Sequence, residues 1–500
     1  VTHDPATCGL RFTMKNEKPA YKEKCISKSE KLISQPAICN PKYHSAAIKR
    51  PKRIEFKEAQ AKIFPGADEK PDLVRESNQI TQLNAGSPPS SEDLQEDGVD
   101  VVFTDEIKLL ADSLTKDPVK IYEYVKNNFE YQPYWGSLKG AHETLLGRKG
   151  NDTDLASLLI ALFRYSGYPA RYAEAKAIVD IKRAKNWLGV DDDSQAGYLL
   201  ATAGVPEVED LYRGSQLVQV KFKHVYVEVY LPYDNYRGQM RIGGGSKKFW
   251  VPLSPSFKKN REAAGIDLQA AAPFNAEAFL QQLKTHTATG PDGSITGMDA
   301  AFINSQMEAY GQAIADFVNT HNPDMTLREY YGYQDVIKEN DSILPITLPF
   351  AAEEATHSSK LFNEQRHRIA VKLSYHGIDL DEELDALEIN YSAPTAQVAG
   401  KRLTLSYRPA TLNDEQLLGQ YDGNFLGTPL YLIHLYPQLK VDGRVVAENT
   451  GMDAEISMGL DENLRVEMIK PGEIGPAEKK SDYLITAGDH VAIVPGLGNT

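Results

Sequence analysis

Residues 150–172 read GNDTDLASLLIALFRYSGYPARY, and this stretch decides the fold. Leu155, Leu158, Leu159, Leu162 and Phe163 recur at the i, i+3, i+4, i+7, i+8 positions of one helical face. Ala156, Ile160 and Ala161 make much of the other side apolar, which predicts a helix buried nearly all round. Asn151, Asp152 and Asp154 open its first turn. Asp152 reads as its cap, because a short carboxylate satisfies the free N–H groups at a helix start. Gly167 and Pro169 end the helix, and residues 170–179 then read as a strand.

The pattern extends outward on both sides. Upstream, Asp117-Pro118 starts a helix whose buried face is Ile121, Tyr122, Val125 and Phe129. A loop rich in Tyr, Trp and Gly follows, carrying Gln132, Tyr134 and Trp135. Downstream, residues 180–216 read as a helical insertion anchored by Trp187-Leu188 and Leu199-Leu200. Asp191, Asp192 and Asp193 lack the ligand spacing of a calcium loop and read as an acidic turn. Residues 217–231, LVQVKFKHVYVEVYL, are a strand containing His224. A Gly243-Gly244-Gly245 turn leads to a further strand, 249–253, with Trp250 inside it and Ser254 just after it.

Beyond that, residues 275–340 are mainly helical and 344–350, LPITLPF, is held extended by its prolines. Short strands broken by turns such as Asp442-Gly443 fill the rest. The expected architecture is α+β, with a buried helix against an antiparallel sheet, then a helical segment and a β-rich module. The divisions are 1–100 (leader and linker), 101–270 (core), 271–345 (helical) and 346–500 (β-rich), the last expected to continue beyond Thr500.

Composition bounds the function. The chain of 500 residues is 41% hydrophobic and 25% charged, with a net charge of −14. That charge is split: residues 1–62 carry 14 Lys+Arg and 6 Asp+Glu, the remainder 41 and 63. An acidic body argues against a nucleic-acid groove. No stretch reaches the roughly 18 apolar residues of a membrane span. The three cysteines, Cys8, Cys25 and Cys39, all precede the small, Pro-containing, acidic linker at 85–100. A disulfide scaffold and a Cys-rich zinc module are therefore excluded. No cofactor is expected.

The order of these segments resembles the transglutaminase-like superfamily, over residues 115–260. The carriers are Gly150, Ala156, the run Arg164-Tyr165-Ser166-Gly167-Tyr168-Pro169-Ala170-Arg171, the His224 strand HVYVEVY, and Trp250-Val251-Pro252-Leu253-Ser254-Pro255. The resemblance implies a papain-like core. In that family a cysteine thiolate at the start of the central helix attacks an amide, a strand histidine takes its proton, and an aspartate orients the histidine. Counted along this chain, the cysteine position is Asp152, the histidine position is His224, and the aspartate position is Ser254. A carboxylate attacking an amide would give an anhydride, which is uphill. The resemblance therefore implies a catalytically degenerate domain. Gln132, Tyr134, Trp135, Asn151 and Trp250 fall where related enzymes line the cleft, so a peptide or glycan is the expected occupant.

The alternative is an active hydrolase or acyltransferase working through a non-cysteine site around Asp152 and His224, with those two side chains in hydrogen-bond reach beside an open cleft. Residues 344–350 and 399–407 also resemble the region after such cores in very large secreted bacterial proteins with tyrosine–aspartate (Rhs-type) repeats. That implies an extracellular or cell-surface location and downstream domains of the same polypeptide as partners.

Overall fold

The computed structural model describes residues 14–16, 52–55, 87–232, 248–291, 294–340, 343–345, 347–375, 387–421, 429–450, 455–473 and 482–493. Cys8, Cys25, Cys39, Ile346 and the Gly243-Gly244-Gly245 turn lie outside the described residues. The chain divides into two compact units, residues 1–258 with 338–500, and residues 259–337.

Helices α1 (Asp105–Ser113), α2 (Pro118–Asn128) and α3 (Gly140–Gly147) lead to α4 (Asp152–Tyr165), the axis of the larger unit. Asp117 starts α2 by accepting from Val119 N and Lys120 N, with Pro118 in the first turn, where its missing N–H costs nothing. Every residue from Asp152 to Arg164 is buried, as the all-round apolar pattern predicts. Ile107, Ile121 and Val125 pack on α4 from one side, and Val225, Val227, Val229, Val251 and Leu253 of the sheet from the other.

That sheet contains β1 (Ala170–Asp180), β2 (Glu209–Arg213), β3 (Gln216–Pro232), β4 (Lys248–Leu253) and β5 (Ala351–Ser358). Its order is β5-β1-β3-β2, with β4 on β3 and the short strand Lys52–Glu55 parallel to β2. The arginines of the 164–171 run explain their own spacing. Arg164 is buried and donates to the carbonyls of Ala170, Gln95 and Ser359, which clamps the start of β1 to the end of α4. Arg171 pairs with Glu228 directly across the β1–β3 ladder, at 2.7 Å. Buried Lys258 donates to the carbonyls of Val125 and Lys126, satisfying the C-terminal end of α2.

The expected insertion forms α5 (Ile181–Leu188) and α6 (Asp193–Thr202), but its last part is β2, not helix. Leu211 and Asp210 there are held by pairing to β3. Strand β5 was not expected either. Its sequence, AAEEATHS, sits at the exposed sheet edge, where no apolar alternation is needed.

The C-terminal part of this unit is β-rich. Its strands are β6 (Arg368–Tyr375), β7 (Leu387–Pro394), β8 (Leu403–Pro409), β9 (His434–Val441), β10 (Arg444–Glu448), β11 (Ile456–Ser457, on β9), β12 (Asp461–Ile469), β13 (Asp482–Thr486) and β14 (Val491–Ile493). One antiparallel sheet has the order β7-β6-β12-β13, and the other contains β14-β8-β9-β10. Val371, Leu373, Leu464 and Val466 from the first share a core with Leu403, Leu405, Leu439 and Val491 from the second. Asp442 (φ 47) and Gly443 (φ 80) make the left-handed two-residue turn between β9 and β10. Met14–Asn16 adds to β14.

The second unit opens and closes on one antiparallel pair, Asn260–Ala264 with Gly332–Val336. Between them run helices Ala276–Thr285 and Ala300–His321. Phe302 stacks on Phe279 and His286, and Asp299 caps the longer helix while meeting His286 at 3.1 Å.

Candidate functional site

Helix α4 presents its N-terminus to β3. The cap is Asn151, one residue earlier than expected: its Oδ1 accepts from Asp154 N at 2.8 Å. Its Nδ2 donates to the carbonyls of Tyr134 and Gly136, tying the preceding loop to the helix start. Asn and Asp cap equally well, so composition alone could not choose between neighbours.

Asp152 is thereby free to face the strand. Its Oδ1 accepts from Thr153 N at 2.9 Å, and its Oδ2 from Val225 N at 2.8 Å. The same Oδ2 lies 3.2 Å from His224 Nδ1. On the far side of the ring, His224 Nε2 is 3.4 Å from Ser254 Oγ and 3.2 Å from Ser256 Oγ. The three triad positions are thus brought together in one chain of contacts: Asp152, His224, then Ser254 with Ser256. Ser256 was not anticipated. Its position two residues beyond Ser254 in the sequence was the available signal.

The chain of contacts is sealed. His224 is 1% exposed, Asp152 3% and Ser256 0%. Trp187 from α5, Phe222 from β3 and Phe350 from the Pro-locked segment each set an edge against the imidazole, with centroids at 5.8, 5.8 and 5.0 Å. Phe257 packs behind Trp187 and Phe350. The Trp187 indole N–H donates to Ser256 O at 2.9 Å, fixing the insertion over the site. Among the described residues, the Asp152–His224 pair has almost no surface open to solvent.

Burial inverts the usual protonation. Desolvation pushes Asp152 up to about 7, against the lowering effect of its bonds to Val225 and Thr153 N–H. Desolvation also pushes His224 down to about 3. The imidazole is neutral, and below neutrality the proton of the pair sits on the carboxyl. With both oxygens engaged and no thiol among the described residues, Asp152 is poorly placed as a nucleophile.

The remaining expected residues serve other contacts. Tyr134 OH donates to Asp154 at 2.6 Å. Gln132 accepts from Lys139 Nζ at 3.0 Å. The Trp135 carbonyl faces His367 Nε2 at 3.0 Å. Trp250 donates to Ser87 O and lies 3.9 Å under the Arg171 guanidinium. Asn151 caps the helix start, and Tyr134 reaches its first turn through Asp154.

Asp154, expected to be an ordinary first-turn residue, is instead a hub. It accepts from Leu138 N, Lys139 N, Gly140 N and Ser137 Oγ as well as Tyr134. Ser137 Oγ also lies against Asp100, which Arg366 grips through two nitrogens at 2.7 Å. Burial pushes Asp100 up to about 6 despite Arg366. Among the described residues, no three His, Cys, Asp or Glu side chains are grouped to hold a metal ion, and no helix is long and apolar enough to cross a membrane.

A buried helix capped against an antiparallel sheet, with the site at its N-terminus, on β3 and just after β4, defines a papain-like α+β domain. Residues 103–255 match the transglutaminase-like superfamily, so the chain carries a transglutaminase-like domain. No curated protein and no solved structure matches the chain.

Proposed function

We propose that the transglutaminase-like domain is catalytically degenerate and acts as a binding or structural unit of a large exported or surface bacterial protein. One observation carries the degeneracy. The three triad positions hold Asp152, His224 and Ser254, and a wall of Trp187, Phe222 and Phe350 excludes substrate and water from them. The exported setting rests on the resemblance of residues 344–350 and 399–407 to secreted Rhs-type proteins. A peptide or glycan and downstream domains of the same polypeptide are the partners in this reading. The buried links from Asp154 through Ser137 and Asp100 to Arg366 support the structural role, because they bind the domain to the β-rich region after it.

The second reading is a hydrolase or acyltransferase using Asp152 and His224. Their 3.2 Å separation favours it, and their enclosure weighs against it. The deciding experiment assays amide hydrolysis and amine incorporation by the native chain and by Asp152→Ala. Neither should show turnover. Native turnover that disappears in the variant would overturn the degenerate reading.

A further inference from the structure

The enclosed contacts run in an order that the family's thiol chemistry does not use. A serine hydrolase places a carboxylate on Nδ1 of its histidine and a serine Oγ on Nε2. Here Asp152 Oδ2 lies 3.2 Å from His224 Nδ1, and Ser256 Oγ lies 3.2 Å from His224 Nε2. The carboxylate occupies the position of the family's nucleophile, and serines occupy the place of its orienting aspartate. From this geometry we infer a latent serine acyl-transfer centre running in reverse through the old triad: Ser256 the nucleophile, His224 the base, Asp152 the orienting group, closed by Trp187 and Phe350. Its substrate class is a small acyl ester, sized to the space that one of the two rings vacates.

The same rings account for its silence. Among the described residues Ser256 is fully buried behind them, and the dry cage keeps the imidazole a weak base. Removing one ring admits water, which draws His224 up and Asp152 down toward their ordinary values. The step then balances. The Asp152 carboxylate accepts from Nδ1–H. Ser256 Oγ bonds to the acyl carbon, the carbonyl π pair moves onto its oxygen, and the hydroxyl proton passes to Nε2. Return of that pair breaks the ester C–O bond, and the departing alkoxide takes the proton from Nε2. A water molecule repeats the sequence on the acyl-serine, releasing the acid and restoring Ser256.

The proposal goes beyond the degenerate reading, which concerns the closed native chain. It is tested in the full chain with a fluorophosphonate probe, with the labelled peptide mapped by mass spectrometry. Phe350→Ala and Trp187→Gly are compared with native, circular dichroism checks folding, and carbethoxylation of His224 shows that the site has opened. Phe350→Ala removes only one side of the cage and carries the test if Trp187→Gly does not fold.

The expected result is no label on the native chain and a label on Ser256 in the opened variants. His224→Ala in the opened background should abolish it, and Asp152→Asn should slow it on the order of 10⁴-fold, the scale seen when an orienting carboxylate is neutralised. An opened variant whose His224 is carbethoxylated but whose Ser256 stays unlabelled overturns the proposal and leaves the degenerate reading intact. So does a label that survives His224→Ala. Label on the native chain supports the relay and overturns the degenerate reading.

Discussion

Asp152 and His224 shift in opposite directions, and this makes a testable statement about folding. In the unfolded chain Asp152 ionises near 3.8 and His224 near 6.5. In the folded chain burial moves them to about 7 and about 3. Between pH 4 and 6.5 the unfolded pair is carboxylate plus imidazolium, and the folded pair is carboxyl plus imidazole. Each state holds one proton, so the pair contributes no pH dependence to stability across that window.

Single substitutions unmask the halves. In Asp152→Asn only the histidine remains; the unfolded chain then binds the extra proton, and stability rises with pH from about 3 to 6.5. In His224→Gln only the carboxyl remains; the folded chain binds the extra proton, and stability falls as pH rises from about 4 to 7. One proton corresponds to about 1.4 kcal/mol per pH unit, so each difference from native accumulates about 3 kcal/mol across the window, with opposite signs.

Urea denaturation of the native chain and both variants at half-unit steps from pH 4 to 6.5 measures this. Subtracting the native curve removes the contributions of Asp100, Asp210 and His367, whose burial also shifts them. Flat differences, or two slopes of the same sign, would refute the argument that desolvation has inverted the pair.

Three further outcomes follow from the surrounding framework. Asp154→Ala strands the N–H groups of residues 138–140 and the Tyr134 hydroxyl, and should cost about 3–5 kcal/mol by chemical denaturation; Tyr134→Phe, which removes one donor, should cost about 1. Arg366→Met leaves Asp100 buried without its cation and should cost about 3–5 kcal/mol, with much of the loss recovered in Arg366→Met/Asp100→Asn, so a double-mutant cycle should show strong coupling. Gly136 has φ +78, and a Cβ there would meet Gln365 O and Pro471 Cγ at 2.5 Å, whereas Gly98 at φ +73 has open space; Gly136→Ala should lower the melting temperature well beyond the roughly 1 kcal/mol expected of Gly98→Ala.

Much of the core was legible because it is locally encoded. Helix α4 announces itself through apolar spacing, and the His224 strand through its Val and Tyr content. Arg164 and Arg171 could be recognised by pattern, although their partners, the Ala170 carbonyl and Glu228, appear only in three dimensions. The cap was displaced by one residue because Asn151 and Asp152 are interchangeable by type. The closure of the site was not legible. Trp187 looked like an anchor of its own insertion and Phe350 like the end of an extended segment. Both meet His224 through contacts between segments distant along the chain, which no local periodicity encodes. Ser256 and the Asp154 hub were missed for a related reason: a buried polar side chain is recognised by its partners, and those come from other loops.

The enclosure of His224 is the claim on which the rest depends, and carbethoxylation of native histidines measures it directly. His286 and His357 have side chains 41% and 37% exposed, while His224 has 1%. In folded protein at neutral pH, residue-resolved mass spectrometry should find His286 and His357 modified and His224 protected until denaturant is added. Modification of His224 at the rate of His286 in the folded chain would contradict the account, because the site would then be open to water and to substrate.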